Sequence, residues 1–313
     1  NHYQDKDDKN KVALLEKEAM SIFGYKMGTF EYGKDNSKFT VDDNEKIIYP
    51  NLSSVKGIGK KAVNAIVEIA NSGEDDFINI YLATKGTNIN KSVFEKLIKI
   101  NYFKKFGTIK KLLQVVEIID AWKGQKWEGR KTLSKADIPS LNLDGVDINK
   151  YASDKTKTGI SDKKYKIFDW IGLVRELCSK ISDDEFSSTK IAYYQYDILQ
   201  YLDYVDEKLD WQNVVITDLN TTYSPKFNAY SISNGKVIEM KIHKTIPRND
   251  KRCKVSYKQI PVQDGEVIYI KDCKKEPKKV KTEDGWDIVP GVFEWWIKDY
   301  YIVEKKEVKE DDK

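Results

Sequence analysis

Apolar residues recur at helical spacing through the first two thirds of the chain and change to strand spacing in the last third. Val12, Leu15, Ala19, Ile22 and Phe23 predict a helix over about residues 8–23, ended by Gly24, and the glycine-dotted aromatic stretch up to Tyr49 reads as extended or hairpin structure. From Leu52 to Phe106 short helical patterns alternate with tight glycine or asparagine turns, and Ile109 to Trp122 reads as one more amphipathic helix. Residues 123–162 are polar and carry Gly124, Gly129, Gly145 and Gly159 with little periodicity, which marks a long connector or a loosely ordered insertion. Helical periodicity returns over Lys164 to Lys208, with Phe168, Ile171, Val174 and Leu177 on one face and Ile191, Tyr194, Ile198, Leu202 and Val205 on another. Beyond Trp211, β-rich runs at Val214 to Ile216, Ala229 to Ser233, Val237 to Ile242, Val267 to Ile270 and Phe293 to Val303 are divided by turns at Asn234-Gly235 and Asp264-Gly265. The fold class expected is α+β and multidomain: a mainly helical region followed by a five-stranded OB-type β-barrel, with a helix-length gap after its third strand.

Composition narrows the function classes. The 313 residues are 40% hydrophobic and 33% charged, with a net charge of +4, so any anion-binding role must come from local patches. Cys178, Cys253 and Cys273 have no CxxC spacing, and His2 and His243 lie far apart, so neither a zinc site nor a disulfide framework is indicated and a reducing cytosol fits best. No apolar run has the roughly 18 residues of a membrane span, so no membrane partner is expected. The chain opens on Asn1, not Met, and is expected to be a piece of something larger.

The most informative stretch runs from Leu52 to Ile66, where a short helix leads into Gly57-Ile58-Gly59 and a second helix follows at once with Ala62, Val63, Ile66 and Ile69 as its apolar stripe. Backbone N–H groups cradle a phosphate only where the turn adopts unusual dihedrals and no Cβ blocks the approach, a reason for both glycines. Ile58 is placed to plug the bend between the helices, the second helix turns its positive end toward the anion, and Lys56, Lys60 and Lys61 add charge. Gly-x-Gly alone would only make a tight turn between helices; the three lysines favour an anion site. A degenerate second copy follows: Phe77 to Thr84, a turn at Lys85-Gly86-Thr87-Asn88-Ile89-Asn90, then Lys91 to Ile100, with Asn88 and Asn90 expected to tolerate left-handed conformations. The expected backbone contacts are therefore Lys56, Gly57, Ile58, Gly59, Lys60, Lys61, Thr87, Asn88, Asn90 and Lys91. Two such hairpins would grip both strands of double-stranded DNA through phosphate, without reading sequence.

The run from Lys11 to Phe106, above all Tyr49-Pro50-Asn51-Leu52-Ser53-Ser54-Val55-Lys56-Gly57-Ile58-Gly59-Lys60-Lys61-Ala62 and Ile89-Asn90-Lys91-Ser92-Val93-Phe94-Glu95-Lys96-Leu97-Ile98, resembles the catalytic alpha subunit of bacterial DNA polymerase III and its phage relatives. In that family the end of the fingers domain leads into a tandem helix-hairpin-helix and then an OB-fold. The resemblance implies an end-of-fingers segment over 1–48, a tandem helix-hairpin-helix over 49–122, a connector over 123–163, a helical region over 164–210, an OB-fold-like barrel over 211–304 and a charged tail over 305–313. The family's leucine-glycine and histidine-proline pairs before the OB-fold have no counterpart at Tyr196-Asp197-Ile198-Leu199-Gln200-Tyr201. The family's magnesium-binding aspartates belong to a palm domain that this chain lacks, so no cofactor and no catalytic residue are assigned to it. The partners implied are duplex DNA, single-stranded template and the rest of the polymerase, with a sliding clamp as a further candidate.

For the barrel, single strands would stack on Tyr223, Phe227 and Tyr230 beside Arg248, Lys251, Arg252 and Lys254. Between Lys244 and Lys281 twelve basic residues face five acidic ones, whereas residues 282–313 carry ten acids and five bases. Trp295 and Trp296 are expected in the barrel core. Asp42-Asp43, Asp75-Asp76 and Asp183-Asp184 read as surface charges, because two-metal chemistry needs carboxylates converging from separate elements. Two other readings remain open at this stage: a stand-alone repair or recombination factor, and a scaffold whose barrel binds protein.

Overall fold

The computed structural model describes residues 22–34, 36–123, 132–136, 145–156, 158–167, 169–202, 204–282 and 285–306. The helix expected over 8–23 and the tail expected over 305–313 lie almost wholly outside the described residues. Contacts divide the chain into a unit ending at Glu185 and a unit beginning at Phe186.

The first unit opens with three short strands, β1 (Lys26–Met27), β2 (Thr40–Asp42) and β3 (Ile47–Tyr49), in the order β1-β3-β2. A 3-10 turn at Leu52–Ser54 then leads to α1 (Lys60–Asn71), α2 (Phe77–Ala83), α3 (Lys91–Lys99) and α4 (Ile109–Lys123). An aromatic cluster holds these short helices together. Phe94, fully buried, lies 4.7 Å from Tyr81 and 4.8 Å from Phe103 between ring centroids, and Phe77 meets Phe103 edge-on at 5.4 Å. Helices of seven to fifteen residues are marginal alone, so this shared core fixes their angles. Buried Asn36 pins the approach to the first hairpin: its side chain donates to the Pro50 carbonyl, and its own carbonyl accepts from the Leu52 amide at 2.9 Å.

The polar stretch expected as a long connector contains strands where it is described. β4 (Thr132–Ser134), β5 (Ala152–Ser153) and β8 (Lys164–Ile167) pair in the order β4-β8-β5, and β6 (Lys155–Thr156) pairs with β7 (Gly159–Ile160). The helix expected from Lys164 is also corrected: Lys164-Tyr165-Lys166-Ile167 alternates with period two and forms β8 with Ile167 buried. The rest of the expected helical region holds two helices, α5 (Trp170–Ser179) in the first unit and α6 (Ser188–Leu199) in the second. Within the first unit α5 is tied to the hairpins by Arg175, which donates to Asp76 at 3.0 Å.

In the second unit five strands, β9 (Asn213–Asn220), β10 (Lys226–Ser231), β11 (Val237–Ile242), β12 (Val267–Thr282) and β13 (Gly285–Glu304), close into a barrel in the order β10-β11-β13-β12-β9. Every pairing is antiparallel except β11 with β13. Val214, Ile216, Phe227, Ala229, Met240, Ile242, Ile268, Ile270, Ile297 and Tyr300 fill its interior. No helix occupies the 243–266 connection; it runs as turns, and Val255, Tyr257, Ile260 and Val262 pack against the barrel core. β12 and β13 run on past the barrel as a two-stranded ribbon, in which residues 276–282 and 285–294 pair only with each other.

Because Phe94 meets three other rings, its replacement by alanine should cost about 3–5 kcal/mol in urea unfolding of the first unit. A cost below ~1 kcal/mol would show that the cluster does not organise the helices.

Candidate nucleic-acid interface

The chain turns sharply at Gly57, whose φ of +81° lies in the region open chiefly to glycine, and a Cβ there would also run into Lys96 Nζ. Gly59 differs from what the spacing predicted. Its φ of −81° is ordinary and, beyond its chain neighbours, no atom of the described residues lies within 4 Å of where its Cβ would be, so none of them requires a glycine there. Ile58 is buried, as a plug for the bend must be, and its amide closes the turn on the Val55 carbonyl at 3.0 Å, so that amide is not offered outward.

The amides of Gly57, Gly59, Lys60 and Lys61 are different. Among the described residues none of them has a protein acceptor, since the first intrahelical bonds come from Ala62 and Val63, both to the Gly59 carbonyl. Gly59, the N-cap of α1, supplies no side-chain cap. The starts of the other helices are occupied by protein groups: Asp76 caps α2, Asn90 caps α3, Asp169 caps α5 and Ser187 caps α6. At α4 the Glu185 carboxylate accepts from the Ile109 and Lys110 amides at 2.9 and 3.1 Å. The start of α1 thus leaves both its amides and its helix dipole unanswered, with Lys56, Lys60 and Lys61 exposed around it and paired with no described carboxylate.

The second hairpin has the same plan and a different outcome. Gly86, φ +78°, takes the left-handed position, while Asn88 and Asn90 do not; Asn90, φ −81°, caps α3 by accepting from the Val93 amide at 2.9 Å. Ile89 is the buried plug corresponding to Ile58. Its amide donates to the Thr87 hydroxyl at 3.1 Å, and that hydroxyl donates to the Thr84 carbonyl. Lys91 reaches Asp120 at 3.2 Å and Glu95 at 3.8 Å. The chain's own side chains therefore occupy much of this turn, and a carboxylate sits beside it.

The adjacent aspartate pairs have local structural tasks. Asp42 accepts from the Asn44 and Glu45 amides, Asp43 from the Tyr25 hydroxyl, and Asp76 caps α2. Asp75 pairs with Lys105, and Asp183 with Lys111.

On the barrel, Tyr223 is 83% exposed, but Phe227 and Tyr230 are not available for stacking. Phe227 fills the interior, and the Tyr230 hydroxyl donates to the Tyr204 carbonyl at 3.1 Å. Arg248, Lys251, Arg252 and Lys254 are exposed. Only Lys251 and Arg252 of these line a cleft of about 830 Å³, joined by Lys274 and by residues that sequence reading missed. At its floor the Lys298 ammonium, 3% exposed, donates to Asp250 at 2.5 Å and to Glu276 at 2.9 Å. Burial works against that charge, yet the two carboxylates outweigh it and hold the Lys298 pKa above its ordinary value. Lys298 also lies 3.1 Å from His243 Nε2; an ammonium only donates, so that nitrogen is the acceptor and the imidazole is neutral. The His243 ring stacks on Trp296 at 4.3 Å; this tryptophan is partly exposed and is not among the residues packed on the barrel core, where it was expected, whereas Trp295 does pack against that core. Burial, and then the Lys298 charge, push the His243 pKa below its usual value.

Residues 34–113 match the model of the helix-hairpin-helix motif family, a span that contains both hairpins described above. No curated protein matches the chain.

Gly57→Ala should destabilise the chain by about 1–2 kcal/mol in urea, because alanine is forced into the left-handed region. Gly59→Ala, with ordinary dihedrals and open space, should change stability by less than ~1 kcal/mol. Equal costs would contradict the assignment of the turn. A second expectation follows from His243. Its folded pKa is depressed, so the unfolded chain binds the proton first: the stability it contributes is full above about pH 6.5 and is lost as pH falls through the lower folded value. Between pH 7 and 5 the thermal midpoint of His243→Asn should drop less than that of the unaltered chain; parallel declines would remove His243 from the account.

Proposed function

We propose that the chain holds DNA by its sugar-phosphate backbone without reading sequence, and that the first hairpin is the principal phosphate cradle. The observation that carries this is the uncapped start of α1, with four unanswered amides and three exposed lysines, inside a stretch matching a nucleic-acid-associated helix-hairpin-helix motif. The second hairpin, self-capped and neighboured by Asp120, plays the lesser part and steadies the register on a duplex.

The barrel is proposed as an OB-type module for single-stranded template. Its circuit of strands in the order first, second, third, fifth, fourth, with the third and fifth parallel, supports that reading. So does the cleft rimmed by Lys251, Arg252 and Lys274. The resemblance over Lys11 to Phe106 supports a place at the carboxyl-terminal end of a C-family replicative polymerase, whose other domains would supply the magnesium chemistry. In that setting these residues keep the nascent duplex engaged, and no bond-making step is assigned to them.

A labelled duplex titrated into the chain across a salt series tests the cradle. With about two to four phosphates neutralised, the logarithm of affinity should fall against the logarithm of salt with a slope of roughly −2 to −4, equally for unrelated sequences, and Lys60→Ala should flatten it by about 0.9. A slope near zero would contradict the proposal.

A further inference from the structure

Lys96 lies on α3, in the second hairpin, and no motif in the sequence singles it out. Its ammonium nevertheless serves the first hairpin. Lys96 Nζ donates to the Lys56 carbonyl at 3.0 Å and lies so close to Gly57 that a Cβ there would collide with it. Because Phe94, Leu97 and Ile98 are buried on the same helix, the stem of Lys96 leaves a fixed platform, and half-burial of the side chain limits its wandering. A cation held in this way differs from Lys56, Lys60 and Lys61, which must give up rotamer freedom when they meet an anion.

We propose that Lys96 is a binding residue of the first phosphate cradle, so that the two hairpins form one composite site. Its carbonyl bond holds the ammonium beside the Gly57 turn, where it adds positive charge to the bend that leads directly into the amides of Gly59, Lys60 and Lys61. The bond across forty residues also fixes the turn against α3, which couples cradle geometry to the packing of the second hairpin. The ligand class is a phosphodiester of the nucleic-acid backbone. This proposal rests on the reading of the first hairpin as a phosphate cradle.

The experiment measures the salt dependence of binding to one labelled duplex for the intact chain and for Lys96→Gln, Lys96→Met, Lys96→Arg, Lys60→Ala and Gly59→Val. Glutamine keeps a donor for the Lys56 carbonyl without the charge, methionine keeps neither, and arginine keeps the charge. The proposal expects the slope to flatten by about 0.9 in both the glutamine and methionine variants, with affinity several-fold weaker near 0.1 M salt, and arginine to retain the full slope. Unchanged slopes in the glutamine and methionine variants, beside a flattened one in Lys60→Ala, would overturn the role of Lys96 and leave the cradle standing. Unchanged binding in Lys60→Ala and Gly59→Val as well would overturn the cradle itself. A lowered affinity with an unaltered slope in Lys96→Gln would also count against the proposal, because it marks a brace and not a charge.

Discussion

Every α-helix begins with backbone N–H groups that have no partner inside the helix, and what answers them decides what that helix end can do. In this protein five of the six helices described have their first amides answered by their own or a neighbouring side chain, from the short side chains of Asp76, Asn90, Asp169 and Ser187 to the carboxylate of Glu185. α1 does not, because its N-cap is Gly59. A donor left to water forfeits little, but a donor already aimed outward beside lysines is prepared for an anion with almost no rearrangement. The account of function depends on that one difference between helix starts.

The surrounding fold explains how the difference is maintained. Ile58 and Ile89 each bury a side chain in the bend before a helix, and the ring cluster of Phe77, Tyr81, Phe94 and Phe103 fixes the helices that those bends join. Asn36 ties the preceding segment to the Leu52 turn, and Lys96 reaches back from α3 to the carbonyl of Lys56. The open turn is therefore held from both sides. The second hairpin shows what the same plan becomes when side chains fill it: Thr87 and Asn88 add two residues between its left-handed glycine and its plug, the Thr87 hydroxyl takes the Ile89 amide as the Val55 carbonyl takes that of Ile58, and the Asn90 side chain caps the helix start that Gly59 leaves open.

Much of this was legible in the sequence, and the failures have physical causes. The apolar stripes of α1, α3 and α4 mark their ends to within about two residues, because each helix has a buried face and a polar one. Gly57 was correctly assigned an unusual dihedral, but Gly59 was grouped with it although its φ is ordinary, a difference that the Gly-x-Gly spacing does not carry. Gly86 was placed in the second turn and takes its left-handed position, but Asn88 and Asn90 were expected there too; asparagine at a helix start is as well suited to capping as to a left-handed turn, and capping won at Asn90. The extensions of β12 and β13 were missed because a ribbon exposed on both faces shows no alternation, and Lys274 to Lys281 looks like loop. Lys96, Lys298 and His243 carry no local signal. Lys96 acts across forty residues, and the other two act together across fifty-five.

The two units contribute in different ways. The first offers, at one turn, backbone amides without a protein acceptor among the described residues, which under the proposed function meet a phosphate. The second offers a cleft in which one buried ammonium is balanced by Asp250 and Glu276 under a rim of Lys251, Arg252 and Lys274. The most direct measurement is an NMR titration of the chain, labelled with nitrogen-15 in glycine, lysine and isoleucine, with a short DNA duplex. The account predicts that the amide signals of Gly57, Gly59, Lys60 and Lys61 move together while that of Ile58, already bonded to Val55, moves least. Stationary signals at those four amides, with DNA bound elsewhere on the chain, would contradict it.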